Sequence, residues 1–516
     1  MLARLPARSA YVWIVLTVAT LVIAAVLRYP SLHEPLWYGD EGIFAAIATN
    51  LREGRTLYAD AWDNKPPMVF YTYAAIQAAS GSGVFPLHVT ASIVVLATQA
   101  TVIAIAFLLY DGRRAAVAGV LFAVLMSTPI IEGTLALTET FMILPTTLAV
   151  LTVVIAARRE EPRRTAPIAV AGVLLGIAAN YKQVAVFDAA AVAVMLWLTW
   201  ERPLPALAAL AAGFAVPHAV FAAIFVAAGA FGDYAYAVAG SLGLYTRAGP
   251  EQDPIARAAG LLPALLVVAW LVRRHQRGDP VDAQHLPVLW LGFALAGATS
   301  SAFAFPHYLQ QAAPAAVLTV AGVSIADLRR DADRVVLGVA GALMVAVIFA
   351  QFSFAFEERR QLDPVDYYRT YLQHRRGDMT DLDYEYSFDG KAVAVRDIAA
   401  LIKQDAAGDT LFAWSELPWL YAAVDMTNPA RYYTSFLGEL VPGAKEEIVR
   451  NLEARPPVYV LLSDDTYAPF DDLERFAAER YVLLRAQGDW RLYRLATLPG
   501  RLPLATQTFA PEQVTR

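Results

Sequence analysis

The chain has 516 residues, of which 57% are hydrophobic and 17% are charged, and its mean hydropathy is +0.44. Apolar runs of about 20 residues, the length that crosses a hydrocarbon core of about 30 Å, recur along it and predict a membrane protein. The formal net charge of −6 offers no basic surface for nucleic acid, and the absence of cysteine excludes disulfides, thiolate metal sites and cysteine nucleophiles.

About eleven hydrophobic segments are candidates for membrane spans. The first follows Arg4 and Arg8, as in a signal peptide, but no small-residue cleavage site precedes Arg28, so we expect an uncleaved first span. Segment 67–82 is too short for a span, and we interpret it as an interfacial helix on the outer face. The predicted spans are 9–28, 88–110, 115–130, 138–157, 166–180, 183–200, 204–229, 255–273, 286–303, 308–327 and 334–354.

The basic residues predict how these spans are oriented. With a cytoplasmic N-terminus, fifteen basic residues lie inside and seven outside up to residue 354, as the positive-inside rule requires. An odd number of spans then places residues 355–516 outside the cytoplasm. In this topology the acids, lysines and histidine that are not simple anchors gather at the outer face, which indicates a site there: Asp40, Glu41, Lys65, Glu132, Glu139, Lys182 and His307.

The first outer loop contains the most informative motif, Tyr-Gly-Asp-Glu-Gly-Ile-Phe at residues 38–44. Asp40 and Glu41 begin an amphipathic helix that we expect to end at Gly54. Asp40 could be only the N-cap of this helix, and Glu41 only a first-turn partner of its dipole. A carboxylate in this position could also act as a general base toward an acceptor hydroxyl or amine.

The same loop continues into Asp-Asn-Lys-Pro-Pro at residues 63–67. The two prolines stiffen the backbone and would hold Lys65 in place. A fixed ammonium group beside the bilayer suits a phosphate or diphosphate head group, although Lys65 could also simply end the loop.

Further polar groups lie where other spans begin or end. Glu139 follows a threonine in an ordinary helix start, but an acid at membrane depth seldom lacks a function. Lys182 lies in a turn between two short apolar segments, where it could merely extend to the interface. His307 and Tyr308 open another span within a polar cluster; a lone histidine there is more often structural than catalytic. Glu132 is a weaker candidate.

Taken in this order, the motifs resemble those of the GT-C polyprenyl-phosphate-sugar glycosyltransferases. The similarity covers residues 10–355 and is greatest to the superfamily of bacterial protein O-mannosyltransferases and aminoarabinose transferases, glycosyltransferase families 39 and 83. It implies a GT-C fold, a polyprenyl-phosphate-linked sugar donor, inverting transfer to a protein, lipid or glycan acceptor, and no need for a metal or other cofactor.

The resemblance also implies roles for individual residues. Asp40 would activate the acceptor, Lys65 would hold the lipid phosphate, and Glu139 would polarise the acceptor side. Asn64 stands where family members often have aspartate, which leaves no clear role for Asp63. The expected catalytic residues are Asp40, Glu41 and Glu139, and the expected substrate-binding residues are Lys65, Lys182, His307 and Tyr308.

The sequence becomes rich in charge near residue 355, where strand-like and helix-like runs begin to alternate and predict a small α/β domain. We expect a catalytic transmembrane domain at 1–354, with an outer-face loop at 29–87, and a soluble extracytoplasmic domain at 355–516. That domain could bind the acceptor or serve as a lid or scaffold. The predicted strands are 410–414, 458–463 and 491–495, and the predicted helices are 391–404, 443–453 and 470–479.

Two other classes of function also accommodate a polytopic chain with charges near the membrane. A transporter or flippase of lipid-linked sugars explains the charges, but such proteins often have inverted repeats and a site at the midplane. A non-catalytic scaffold for envelope assembly explains the C-terminal domain but not the acid pair with Lys-Pro-Pro. The sequence favours the enzyme, located in the cytoplasmic membrane.

Overall fold

The computed structural model describes residues 7–158, 165–248, 260–301, 303–322, 331–356 and 363–497. Contacts between Cα atoms divide the chain into two compact units. The first, called the helical unit below, consists of Met1–Pro35 and Asn64–Phe388. The second, called the α/β unit, consists of Leu36–Asp63 and Asp389–Arg516.

The described part of the helical unit is built from α-helices joined by short 3-10 or π turns. The α-helices are Ala7–Arg28, Met68–Ser80, Val84–Leu109, Gly112–Met126, Thr138–Ala157, Thr165–Tyr181, Ala185–Thr199, Pro203–Ala227, Phe231–Ala235, Leu242–Ala248, Leu262–Gln276, Leu286–Thr299, Ala313–Gly322, Asp331–Phe356, Pro364–Arg376 and Asp381–Phe388. The 3-10 helices are Tyr29–His33, Pro129–Ile131, Ala283–His285 and Pro306–Ala312, and the π turn is Tyr236–Gly240.

Each predicted span contains an α-helix of this unit, and spans 115–130 and 308–327 also include parts of 3-10 helices. Parts of 255–273, 286–303 and 308–327 lie outside the described residues. Among the described residues, four helices are long and apolar enough to cross a membrane, and the count of eleven spans stays a prediction. Segment 67–82 forms the helix Met68–Ser80. The four long helices are Trp13–His33, Val84–Leu109, Thr138–Ala157 and Pro203–Ala227.

Small residues let two helices of this unit approach closely. Thr165–Tyr181 crosses Pro203–Ala227, and a Cβ atom added to Gly172 would lie only 2.2 Å from the carbonyl oxygen of Leu210. A Cβ atom at Gly213 would likewise lie 2.1 Å from a carbonyl of the facing helix. Close contact through glycine is typical of helices packed in a bilayer, where no hydrophobic effect drives their association.

The α/β unit contains a four-stranded sheet of order β1-β2-β4-β3. Strands β1 (Leu411–Trp414) and β2 (Tyr459–Ser463) are parallel, whereas β4 (Trp490–Leu495) is antiparallel to β2 and to β3 (Tyr481–Gln487). The three predicted strands are confirmed, and β3 was missed. The helices of the unit are Gly39–Arg52, Gly390–Asp405, Trp419–Val424, Ser435–Leu440, Ala444–Ala454 and Asp471–Arg480.

The middle of the first outer loop, Leu36–Asp63, belongs to the α/β unit. Helix Gly39–Arg52 lies against Trp419–Val424, and Trp419 Nε1 donates to the carbonyl of Tyr38 at 2.9 Å. A Cβ atom at Gly42 would lie 2.7 Å from the backbone nitrogen of Trp419, so this contact requires glycine. The division by contacts groups Leu36–Asp63 with Asp389–Arg516, so it differs from the expected domain limits of 1–354 and 355–516. Those limits remain a prediction.

Candidate active site

Four ionisable side chains from distant parts of the sequence meet in the helical unit. Glu139 begins helix Thr138–Ala157, Lys182 lies in the turn before Ala185–Thr199, and His307 belongs to the 3-10 helix Pro306–Ala312. Glu132, in the loop before Glu139, completes this set, which we call the charged cluster. Glu132, Glu139 and His307 are at least 97% buried, which is costly unless such groups are paired.

Glu139 and Lys182 form an ion pair through Glu139 Oε1. The other carboxylate oxygen accepts a hydrogen bond from the Thr138 hydroxyl at 2.6 Å. The ammonium nitrogen of Lys182 also lies 3.8 Å from the centre of the Tyr308 ring, a cation–π distance. Lys182 therefore contacts two other predicted site residues, Glu139 and Tyr308.

His307 lies between the two acids. Its Nδ1 is 2.5 Å from Glu132 Oε2, and its Nε2 is 3.8 Å from Glu139 Oε1. Phe305 stacks on the imidazole at 5.3 Å between ring centres and fixes the plane of the ring. An ionised Glu132 can only accept, so Nδ1 then carries the proton that it donates, and Nε2 faces Glu139.

The loop that holds Glu132 is fixed by Arg28, which is 1% exposed. Arg28 donates to the carbonyls of Met126, Gly133 and Thr134. Glu132 itself has a positive φ of 53°, an uncommon conformation for this residue type that the surrounding bonds maintain. The sequence identified Arg28 only as a basic residue at the end of the first span.

Gln310 connects this loop to the helix that carries Glu139. Its Nε2 donates to the carbonyls of Ile131 and Glu132 at 3.1 and 2.9 Å, and its Oε1 accepts from the Thr140 hydroxyl at 2.9 Å. Gln310 lies within the polar run that the sequence flagged, but only its long-range contacts identify its function as a brace.

The Lys-Pro-Pro segment lies beside the turn that carries Lys182. The carbonyl of Asn64, directly before Lys65, accepts a hydrogen bond from Gln183 Nε2 at 3.2 Å. Lys65 is half-buried, and helix Met68–Ser80 begins immediately after the two prolines. Two predicted substrate-binding residues, Lys65 and Lys182, are therefore carried by adjoining segments of the helical unit.

Asp40 and Glu41 belong to the α/β unit, in the first turn of helix Gly39–Arg52. Tyr38 occupies the N-cap position, so Asp40 is not the N-cap of this helix. Glu41 is buried and Asp40 is half-exposed. The helix ends at Arg52, and Gly54 follows with a φ of +79°, which is the glycine-favoured conformation expected beyond a helix end.

Part of the chain matches a known protein family. Residues 64–223 match the family described as dolichyl-phosphate-mannose-protein mannosyltransferase, a stretch that includes Lys65, Glu132, Glu139 and Lys182. No curated protein is significantly similar to the chain in sequence.

Two solved structures of ArnT from Cupriavidus metallidurans have the same fold. The apo structure is 15% identical with a TM-score of 0.59, and covers 96% of this chain and 100% of the ArnT chain. The structure bound to undecaprenyl phosphate is 14% identical with a TM-score of 0.57, and covers 95% and 99% of the two chains. The chain therefore has the fold of ArnT, apolar helices long enough to cross a membrane, and a match to a mannosyltransferase family over residues 64–223.

Proposed function

We propose that the chain transfers a sugar, with inversion, from a polyprenyl-phosphate donor to an acceptor at the outer face of the cytoplasmic membrane. The observation that carries this proposal is the charged cluster, which gathers buried acids and cations at helix ends rather than at the centre of apolar helices. Buried ionisable groups in a membrane protein are a sign of function, because their desolvation is otherwise unfavourable.

The donor phosphate would be held by cations of the helical unit. When the bond between the anomeric carbon and the phosphate oxygen breaks, the lipid phosphate leaves as an anion, and nearby positive charge lowers the barrier. Lys182, fixed by Glu139 and by the Tyr308 ring, is suited to this task. Lys65 would contact the same phosphate, and His307 would line this region. The undecaprenyl phosphate bound by ArnT supports a lipid phosphate as the ligand.

For the acceptor, we propose that Asp40 takes the proton from the attacking hydroxyl or amine as that group bonds to the anomeric carbon. This role follows from the resemblance of the Asp-Glu motif to that of the GT-C glycosyltransferases. Glu41 is the second acid of the motif and lies next to Asp40 in the chain. Glu139 would polarise the acceptor side. A positioned general base contributes about 10²–10⁴-fold to the rate, so Asp40 is the residue whose loss should matter most for the acceptor.

The orientation is proposed from the distribution of charge. Fifteen basic residues on the cytoplasmic side against seven outside put the N-terminus inside and residues 355–516 outside. The catalytic domain would then be 1–354, with residues 355–516 as an extracytoplasmic domain next to the acceptor.

Reconstituted proteoliposomes provide the test. Undecaprenyl phosphate carrying radiolabelled mannose, glucose, galactose or aminoarabinose is supplied with a cell-envelope extract as the source of acceptor. We expect transfer from one of these donors, with the anomeric configuration inverted in the product. Absence of transfer from every lipid donor, with folded protein and intact vesicles, would contradict the proposal.

A further inference from the structure

One buried acid of the helical unit has no place in the proposed chemistry. The Asp188 carboxylate, on helix Ala185–Thr199, is fully buried and accepts two hydrogen bonds. Trp290 Nε1 donates to Oδ1 at 2.6 Å, and Gln311 Nε2 donates to Oδ2 at 2.8 Å. Apolar side chains of similar volume would often stabilise such a position better, so this acid points to a requirement other than stability.

Helix Leu286–Thr299 is shaped to receive this group. Trp290 and Gly297 are seven residues apart, about two helical turns, and therefore face the same side of the helix. A Cβ atom added to Gly297 would lie 2.8 Å from both terminal atoms of the Gln311 amide, so a glycine here leaves space for that amide. We call Asp188, Trp290, Gly297 and Gln311 the Asp188 network.

The Asp188 network joins the two segments that carry Lys182 and His307. Gln311 Nε2 also donates to the carbonyl of Val184 at 3.1 Å, two residues from Lys182. His307 lies four residues before Gln311 in the same 3-10 helix. A hydrogen-bonded group at this junction fixes one relative position of the two segments, whereas apolar contacts would tolerate several.

We propose that Asp188 is a positioning residue for sugar transfer. Through Gln311, Asp188 fixes the turn that carries Lys182 relative to the segment that carries His307, so that these two side chains meet the donor phosphate at a fixed separation. The inference rests on the proposed function of the cluster. It predicts an effect on the donor because a misplacement of about 1 Å in a reacting geometry costs about 10²-fold in rate.

The test compares Asp188→Ala with Asp188→Asn in the full-length protein in proteoliposomes, using the labelled undecaprenyl-phosphate sugar that the wild type accepts. The asparagine oxygen can still accept from Gln311 Nε2, so Gln311 keeps its bond to the Val184 carbonyl, and only the bond from Trp290 is lost. We expect Asp188→Ala to lower kcat/KM for the donor about 10²-fold, with an unchanged acceptor KM, and Asp188→Asn to stay close to wild type. If both variants lose activity equally, the charge rather than the geometry matters, and the proposal is wrong.

Hydrogen exchange of the unliganded protein provides a readout independent of activity. Asp188→Ala should speed exchange in peptides covering 180–188 and 305–313, and unchanged exchange in both would overturn the proposal. If Asp188→Ala does not fold, Gln311→Met removes the same bond and takes its place. Failure of the wild type to transfer any sugar would refute the proposed function, whereas the exchange data would still decide whether Asp188 fixes these segments.

The matched control is Gln99→Leu. Gln99 is equally buried in the helical unit, and its amide donates to the carbonyls of Thr20 and Gly119 at 3.1 and 3.0 Å, away from the segments of Lys182 and His307. This variant should lose stability without any change in donor KM. If Gln99→Leu reproduces the kinetics of Asp188→Ala, the effect is general loosening of the bundle, and Asp188 has no positioning role.

Discussion

Replacing Lys182 by methionine should separate stability from catalysis in the charged cluster. The side chains of Lys182 and Glu139 are 16% and 2% exposed, so the variant leaves a buried carboxylate without its ion-pair partner. Breaking a buried pair by removing one member costs about 3–5 kcal/mol. We expect about 3 kcal/mol, because Glu139 keeps the Thr138 hydroxyl at 2.6 Å and has His307 Nε2 at 3.8 Å.

The double variant Lys182→Met/Glu139→Gln is the matched control. It replaces the pair by uncharged side chains of similar volume and should recover most of the lost stability, because no charge remains buried without a partner. It should stay inactive, since the cation proposed to hold the donor phosphate is still missing. Reversible unfolding in mixed micelles with increasing SDS measures the free energy of unfolding, and transfer in proteoliposomes measures activity.

Two results would refute this reasoning. If Lys182→Met unfolds at the same SDS fraction as the wild type, the ion pair does not contribute as a buried pair. If the double variant transfers sugar at the wild-type rate, Lys182 takes no part in holding the donor.

Four further outcomes are expected. Asp40→Asn should lower kcat about 10²–10⁴-fold while the protein stays folded, and activity above a tenth of wild type excludes a general base here. Lys65→Ala should raise the KM for the donor more than that for the acceptor, and titration of each substrate separately shows whether the reverse holds. Burial raises the pKa of Glu416 above its ordinary value of 4.5, so its contribution to stability is present below that pH and is lost as the pH rises through the raised pKa. Glu416→Gln should therefore remove this loss, which hydrogen exchange in residues 389–497 measures between pH 4 and 8. Single cysteines at exposed Ala478 and Gln276 test orientation: an impermeant maleimide should label Ala478→Cys in intact spheroplasts and Gln276→Cys only after lysis, and the opposite pattern would invert the topology.

Much of the helical unit could be predicted from the sequence because long apolar runs have few structural alternatives in a bilayer. The sequence also predicts that Glu139, Lys182 and His307 lie at one face of the membrane, but not that they contact one another. Each is a polar residue at a helix end, and the predicted topology put all three on one face. Glu132 is harder to recognise in the sequence, because its contact with His307 spans 175 residues and its own φ is positive.

Contacts between distant backbone segments could not be derived from local patterns. Arg28 follows an apolar run as an interfacial anchor does, yet its guanidinium is buried among carbonyls about one hundred residues away. The packing of helix Gly39–Arg52 against Trp419 depends on a glycine that looks unremarkable in the sequence. Strand β3 (Tyr481–Gln487) was missed because it follows a helix directly, with no turn signal between them.

The central claim is that a lipid phosphate, not a nucleotide, delivers the sugar. Its most direct test compares two donors that carry the same labelled sugar, undecaprenyl phosphate and a nucleoside diphosphate, in single-turnover reactions with wild-type proteoliposomes. We predict labelled product from the lipid donor alone, and its loss in Lys182→Met/Glu139→Gln, which is expected to be folded. Equal or greater transfer from the nucleotide donor would contradict the account.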